Sequence, residues 1–216
     1  MELEEKEFEL TKVYEDVVEL FYPVGLKMEV DVIFDLQVIK FSQVKGDEGR
    51  LKQILLNILS NAMKFSLEGN VTKVMDEVHH HHHDDPNSME FVFEVNDTGK
   101  GIPKAKQASI FENYVQVKEM ENETTPEIEG TGLGLGIVQS LVQLMRGEIS
   151  IVDKEVGEKG TCFKFNVVFK VYIFDLSEDY KAMKIYSPKQ GYNSSIVVLF
   201  ISRDERVKMA QNFIKA

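Results

Sequence analysis

The sequence predicts an α+β fold: a two-layer sandwich in which a mixed, mostly antiparallel sheet carries helices on one face. Three observations lead there. Residues 48–65 hold one continuous apolar stripe at helical spacing. Residues 89–95 form a run rich in Phe and Val, and 148–152 and 161–171 flank the turn-like VGEKG as a hairpin. Elements that each bury a single face find partners by stacking as layers.

Composition sets the outer bounds. A chain of 216 residues, 43% hydrophobic and 28% charged, can bury one good core with some length left over. No apolar run reaches the ~18 residues that span a bilayer, and the acidic amino terminus is unlike a signal peptide. The single cysteine, Cys162, excludes an internal disulfide and fits a reducing compartment. The expectation is an intracellular, cytoplasmic-side soluble domain whose parent protein is free to be membrane-anchored. A net charge of −11 argues against nucleic acid as a partner, which needs a basic footprint. Any bound polyanion must then be held by local devices.

The elements follow in order. Phe8, Leu10, Val13, Val17, Val18 and Leu20/Phe21 recur at roughly helical spacing among glutamates, predicting an amphipathic helix over 1–22 that Pro23 and Gly25 close. Residues 30–34 and 40–44 read as short strands with a turn between them. Leu51, Ile54, Leu55, Ile58, Leu59 and Ala62 make the apolar face of the 48–65 helix, stopped by Gly69 and Asn70. Strand 71–78 connects through HHHHHDDPNS to strand 89–95. A short helix over 105–114 follows DTGKGIP. The Glu- and Thr-rich stretch 118–129 reads as a mobile loop, and 134–145 as a second helix before the closing hairpin.

Past Tyr172 the character changes. Residues 175–195 are mixed and polar. IVVLFIS at 196–202 is a buried-type strand, and 203–216 is an amphipathic helix. One strand and one helix cannot make a core, so they read as the first βα unit of a second domain.

Three groups of residues carry chemistry. On the 48–65 helix, Gln53, Asn57, Asn61 and Lys64 form a polar stripe separate from the apolar one. Amides one turn apart can offer oxygens to Mg²⁺ or hydrogen bonds to phosphate, and Lys64 adds positive charge. A solvated helix face would look the same. Asp97 ends a hydrophobic strand before Thr98-Gly99-Lys100-Gly101. A carboxylate there can accept a hydrogen bond from an exocyclic amine while glycines admit a flat base, although a lone DxGxG also suits a plain turn. Gly130, Gly132 and Gly134 open a helix after a polar loop, and free amides at a helix amino terminus make a phosphate cradle. A dinucleotide fold is excluded for this motif, which follows a loop rather than the first strand of a βαβ unit.

The five histidines at 79–83 favour neither a metal nor a phosphoacceptor. Unspaced histidines lack a defined metal geometry, and a hairpin loop is a poor structural site. They read as a solvated connection.

Together, RLKQILLNILSNAMKFS (50–66), DTGKGIP (97–103), IFENY (110–114) and GTGLGLGIV (130–138) resemble the N, G1, F and G2 boxes of the histidine-kinase ATP-binding domain. The resemblance covers roughly residues 1–172 and implies the Bergerat-type ATP-binding fold of the gyrase, chaperone and kinase superfamily. It implies ATP as substrate and Mg²⁺ as cofactor. Asn57 is then the magnesium ligand, with Asn57 and Lys64 the catalytic pair and Asn61 beside the phosphates. Asp97 recognises the adenine amino group, Gly99 and Gly101 line the base pocket, and Phe111 anchors the lid. Gly130, Gly132 and Gly134 hold phosphates. Gly136 departs from the pattern, standing where many members carry alanine.

The resemblance also implies partners. The γ-phosphoryl goes to a histidine on a separate dimerisation module, whose exit MELEEKEFEL resembles, and then to receiver domains or phosphotransfer proteins. Residues 173–195 are expected to be a linker. Residues 196–216 resemble the start of a receiver-like domain, with Ile201-Ser202-Arg203 where the acidic pair should follow the first strand, as in degenerate receivers. These features resemble plant hybrid histidine kinases of the cytokinin-independent type. A gyrase- or chaperone-type ATPase is the rival, but it needs a glutamate one turn before its metal asparagine. With Asn61 as that asparagine, the position is Asn57, an amide. A non-catalytic nucleotide-binding module is the third reading.

Overall fold

The computed structural model describes residues 3–28, 30–36, 43–65, 71–80, 87–111, 134–155, 157–171 and 198–200. In chain order the elements are β1 (Lys6–Glu9), α1 (Leu10–Met28), β2 (Asp31–Leu36), β3 (Gln43–Gly46), α2 (Glu48–Phe65), β4 (Val71–His80), β5 (Ser88–Asp97), α3 (Lys104–Gln107), α4 (Gly134–Leu144), β6 (Ile149–Val152), β7 (Cys162–Val171) and β8 (Val198–Phe200). Among the described residues the strands form one sheet ordered β1-β3-β7-β5-β4-β2-β8, with β6 also on β7. Only the β2–β4 and β2–β8 pairings are parallel. This is the mixed, mostly antiparallel sheet expected.

The layers meet through period-two alternation in the adjacent ten-residue strands β5 and β7. Phe91, Phe93 and Val95 of β5 and Phe163, Phe165, Val167 and Phe169 of β7 are all buried. Phe93 and Phe165 are register partners whose rings stack at 4.8 Å, and Tyr14 of α1 lies against Phe93 at 6.5 Å. Above them α2 buries Leu51, Ile54, Leu55, Ile58 and Leu59 completely. Each such side chain contributes about 1.5–3 kcal/mol through burial. The other sheet face is polar: Lys164 Nζ meets Glu94 Oε1 at 2.8 Å, and Asn166 donates to Glu90.

Asp47 sets where α2 begins. Its Oδ1 accepts the Arg50 N–H at 3.1 Å, while Oδ2 takes the Glu4 N–H at 3.0 Å and Arg50 Nε at 2.5 Å. One buried carboxylate therefore caps the helix and ties the residues before β1 to it. Burial opposes its charge, but the Glu4 and Arg50 donors outweigh it and hold the Asp47 carboxyl below its usual range.

Several local expectations are corrected. Residues 6–9 are a strand, paired antiparallel with β3, so the first helix starts at Leu10 rather than Met1. That helix also runs through Pro23 and past Gly25 to Met28. Proline removes one backbone bond, but the buried face from Leu10 through Phe21 to Gly25 continues beyond it, and packing outweighs the break. The strands expected around 30–34 and 40–44 are β2 and β3, but they do not pair: one joins β4 and the other β1 and β7. His79 and His80 end β4 in register with Glu90 and Met89, while His81, His82 and His83 lie outside the described residues. Strand β8 extends the sheet beside β2; residues 172–197 and 201–216, with the expected linker and most of the receiver-like unit, lie outside them too.

Candidate nucleotide-binding site

The site forms where α2, the end of β5 and the start of α4 converge. Alternation from Phe93 and Val95 turns Asp97 inward at the last residue of β5, where it is buried. Its Oδ1 accepts N–H bonds from Gly99 at 2.9 Å and Thr161 at 3.1 Å, and its own N–H donates to the Thr161 carbonyl at 2.9 Å. Oδ2 receives no hydrogen bond from the described residues. Burial pushes the Asp97 carboxyl above the usual range, against the opposing pull of the Gly99 and Thr161 N–H groups and the Lys154 ammonium.

The loop after Asp97 is pressed between two neighbours. A Cβ on Gly99 would stand 2.4 Å from the Phe65 carbonyl oxygen at the end of α2. Gly101 has φ +75° and faces the Gly160 carbonyl. Gly160, at φ +96°, lies so close to Asp97 that a Cβ would meet its carbonyl oxygen at 1.9 Å. Only glycine fits these approaches, and they seat the loop between α2 and the β6–β7 hairpin.

On α2, Asn57 Nδ2 donates to the Gln53 carbonyl at 2.9 Å, which turns Oδ1 outward. That oxygen would be 3.4 Å from a Cβ on Gly134, the first residue of α4. Asn57 and Gly134 are thus brought together. Asn61 follows one turn later on the same partly exposed face, and Lys64 reaches over the Phe65 ring at 5.3 Å, as does Lys100. Phe111 is half-buried and packs edge-on against Phe163 at 6.4 Å. Gly130 and Gly132, with the 118–129 stretch, lie outside the described residues.

Three residues here were not anticipated. Thr161, Gly160 and Lys154 read in sequence as parts of a hairpin and its turn. The Asn96–Cys162 register puts Thr161 opposite the end of β5, and only strand pairing reveals it. Chemically, the assembly offers one buried carboxylate acceptor, an outward amide oxygen, a helix amino terminus and a lysine. Those are the requirements of an amine-bearing base attached to a polyphosphate. No cluster of three metal-ligating His, Cys, Asp or Glu side chains occurs among the described residues. Nor is any described helix long and apolar enough to cross a membrane.

Sheet order and site define an ATP-binding domain of the Bergerat type. The family model described as "Histidine kinase-, DNA gyrase B-, and HSP90-like ATPase" matches residues 46–171, and the chain belongs to that family. It is 46% identical over 210 residues to Histidine kinase CKI1 of Arabidopsis thaliana, covering 78% of this chain and 18% of that one. It is 43% identical over 212 residues to Probable histidine kinase 2 of Oryza sativa subsp. japonica, covering 79% and 20%. The chain thus spans about a fifth of these relatives' length. Among solved structures, full-length ShkA in complex with AMPPNP superposes with a TM-score of 0.63 at 28% identity, covering 80% of this chain and 32% of that one. The catalytic domain of histidine kinase ThkA superposes at 0.59 and 26% identity, covering 77% and 95%. The chain thus carries the ATPase-type domain of this family and is similar over it to proteins named as histidine kinases.

Proposed function

We propose that the domain binds Mg·ATP and donates the γ-phosphoryl group to a histidine on a separate dimerisation module of its parent protein. The observation that carries this is the buried Asp97 carboxylate, whose Oδ1 is held by two backbone N–H groups; in this reading its Oδ2 would accept from the adenine amino group. Gly99 and Gly101 form the wall against the base. In this reading Asn61, Lys64 and Gly134 would face the phosphates, Gly130 and Gly132 are assigned the same role from the motif alone, and Phe111 takes the role of lid anchor.

Mg²⁺ fits the donors present. Asn57 offers a neutral oxygen freed by its bond to Gln53, and Mg²⁺ commonly takes one or two protein oxygens with phosphate and water completing its shell. The ion would neutralise charge on the β- and γ-phosphates. Lys64 adds a fixed positive charge there. The attacking nitrogen comes from the acceptor histidine: it bonds to the γ-phosphorus as the bond to the bridging oxygen breaks, and ADP leaves. This chain positions and neutralises rather than supplying a nucleophile.

Hydrolysis is disfavoured by α2 itself. Its only acidic residue, Glu48, lies in the first turn, and Asn57 cannot take a proton from water. In the same reading residues 1–172 are the ATP-binding domain, 173–195 a linker and 196–216 the opening of a receiver-like unit. Limited proteolysis should then cut first within 173–195. Downstream acceptors are receiver domains or phosphotransfer proteins.

Calorimetry with a non-hydrolysable ATP analogue, with and without Mg²⁺, tests the site. Asn57→Ala should abolish the magnesium dependence and Asp97→Asn should lose binding. Ordinary affinity in both variants would sink the assignment. Labelled ATP with the helical module supplied in trans should then show transfer to histidine; binding without transfer would point to a non-catalytic module.

A further inference from the structure

We propose that Lys154 is a positioning residue for adenine recognition, holding the end of β5 from the β6–β7 hairpin so that the Asp97 carboxylate stands fixed in the base pocket. The inference rests on the adenine role of Asp97 argued above.

Lys154 Nζ donates to the backbone carbonyl of Asp97 and, across the hairpin turn, to the Lys159 carbonyl at 2.7 Å. It is half-buried at that junction. The other groups that hold Asp97 are backbone amides and the Thr161 carbonyl, so Lys154 is the side chain through which this attachment can be altered. Gly160, between Lys159 and Thr161, lets the hairpin press against the Asp97 carbonyl closely enough for the lysine to span both. The neighbouring Asp153 is itself bridged to Lys104 of α3 at 2.9 Å, joining the hairpin to the far side of the same loop.

The charge of Lys154 also acts on the carboxylate. Asp97 sits where burial raises its pKa, and Lys154 opposes that rise. Around it, α2 contributes the Phe65 carbonyl and β7 contributes Cys162, whose thiol is pushed up to about 11 and is neutral at ordinary pH. Glu155 and Glu158 on the hairpin are exposed to solvent, and Asp153 is taken by Lys104. Lys154 therefore adds its positive charge to the Gly99 and Thr161 N–H bonds in favouring the Asp97 anion that would accept from the adenine amine.

The test uses the full 216-residue chain, with ATP affinity measured from pH 5.5 to 8.5 for wild type, Lys154→Gln, Lys154→Arg and Asp97→Asn. Protonation of ATP itself is common to all four curves and cancels. Lys154→Gln should move the acid-side loss of binding to higher pH, so that its affinity falls below that of wild type at the acid end of the range. Lys154→Arg should track wild type, and thermal melting confirms that each variant is folded. Superimposed Lys154→Gln and wild-type curves, with Asp97→Asn unable to bind, would overturn the Lys154 role alone. Normal binding by Asp97→Asn would overturn the adenine assignment beneath it. If Lys154→Gln does not fold, a shifted curve for Lys154→Arg, which keeps the charge, overturns the proposal, and an unshifted curve supports it.

Discussion

Asp97 and Thr161 hold each other twice, the Asp97 N–H on the Thr161 carbonyl at 2.9 Å and the Thr161 N–H on Asp97 Oδ1 at 3.1 Å. The pair joins the end of β5 to the start of β7 and seats a buried carboxylate at the mouth of the site. Burying that carboxylate opposes its charge, and the cost to stability can be measured.

Because burial raises the Asp97 pKa, its contribution favours the folded state at low pH and is lost as pH rises through the folded-state value. At neutral pH the ionised carboxylate therefore destabilises the empty domain. Asp97→Asn should lose ATP binding yet melt no lower than wild type at pH 7.5, with any gain shrinking as the pH is lowered. A lower melting temperature that does not vary with pH would contradict this.

Asp47 should behave in the opposite sense. Its pKa is held below the usual range, so its stabilisation is present above the unfolded value and fades as pH falls through the folded one. Asp47→Ala removes the α2 cap, the link to Glu4 and a partner of the largely buried Arg50. A loss of about 2–3 kcal/mol is expected in urea unfolding at pH 7. The difference from wild type should narrow below about pH 4.

Helix α4 ends with Arg146 at φ +61°, followed by the Gly147 N–H to Val142 carbonyl bond at 2.9 Å and the Arg146 N–H to Gln143 carbonyl bond at 3.0 Å. This is a Schellman ending with a side chain at the left-handed position where glycine is favoured. Arg146→Gly should raise stability by about 0.5–1 kcal/mol, seen as a higher denaturation midpoint with an unchanged slope. A drop in midpoint would show that the arginine side chain contributes more than its backbone costs.

Cys162 is buried on β7, and burial, with Glu94 nearby, pushes its thiol up to about 11. Thiolate is the reactive form, so at pH 8 alkylation of the folded chain should be about two orders of magnitude slower than of the unfolded chain. Equal rates in both states would mean that the β7 end opens freely.

The sequence alone determined the helix Glu48–Phe65 to the residue, because its apolar stripe and polar stripe are both local and periodic. It also determined the family, since four short motifs in a set order survive without coordinates. The same motifs single out Asp97 and Asn57, and the structure places Asp97 at the buried end of β5 and Asn57 on α2 beside Gly134. Strand partnership was not. A strand's pattern tells which face is buried but not which strand lies beside it, so 6–9 read as helix and the partners of β2 and β3 came only from the sheet order. The roles of Thr161, Gly160 and Lys154 likewise depend on β7 pairing with β5 across more than sixty residues of chain. Side-chain periodicity is a property of the local backbone, whereas sheet order is decided by which buried faces fit around one core. Only the tertiary structure could show that the buried Asp97 carboxylate is held from a hairpin far away in sequence.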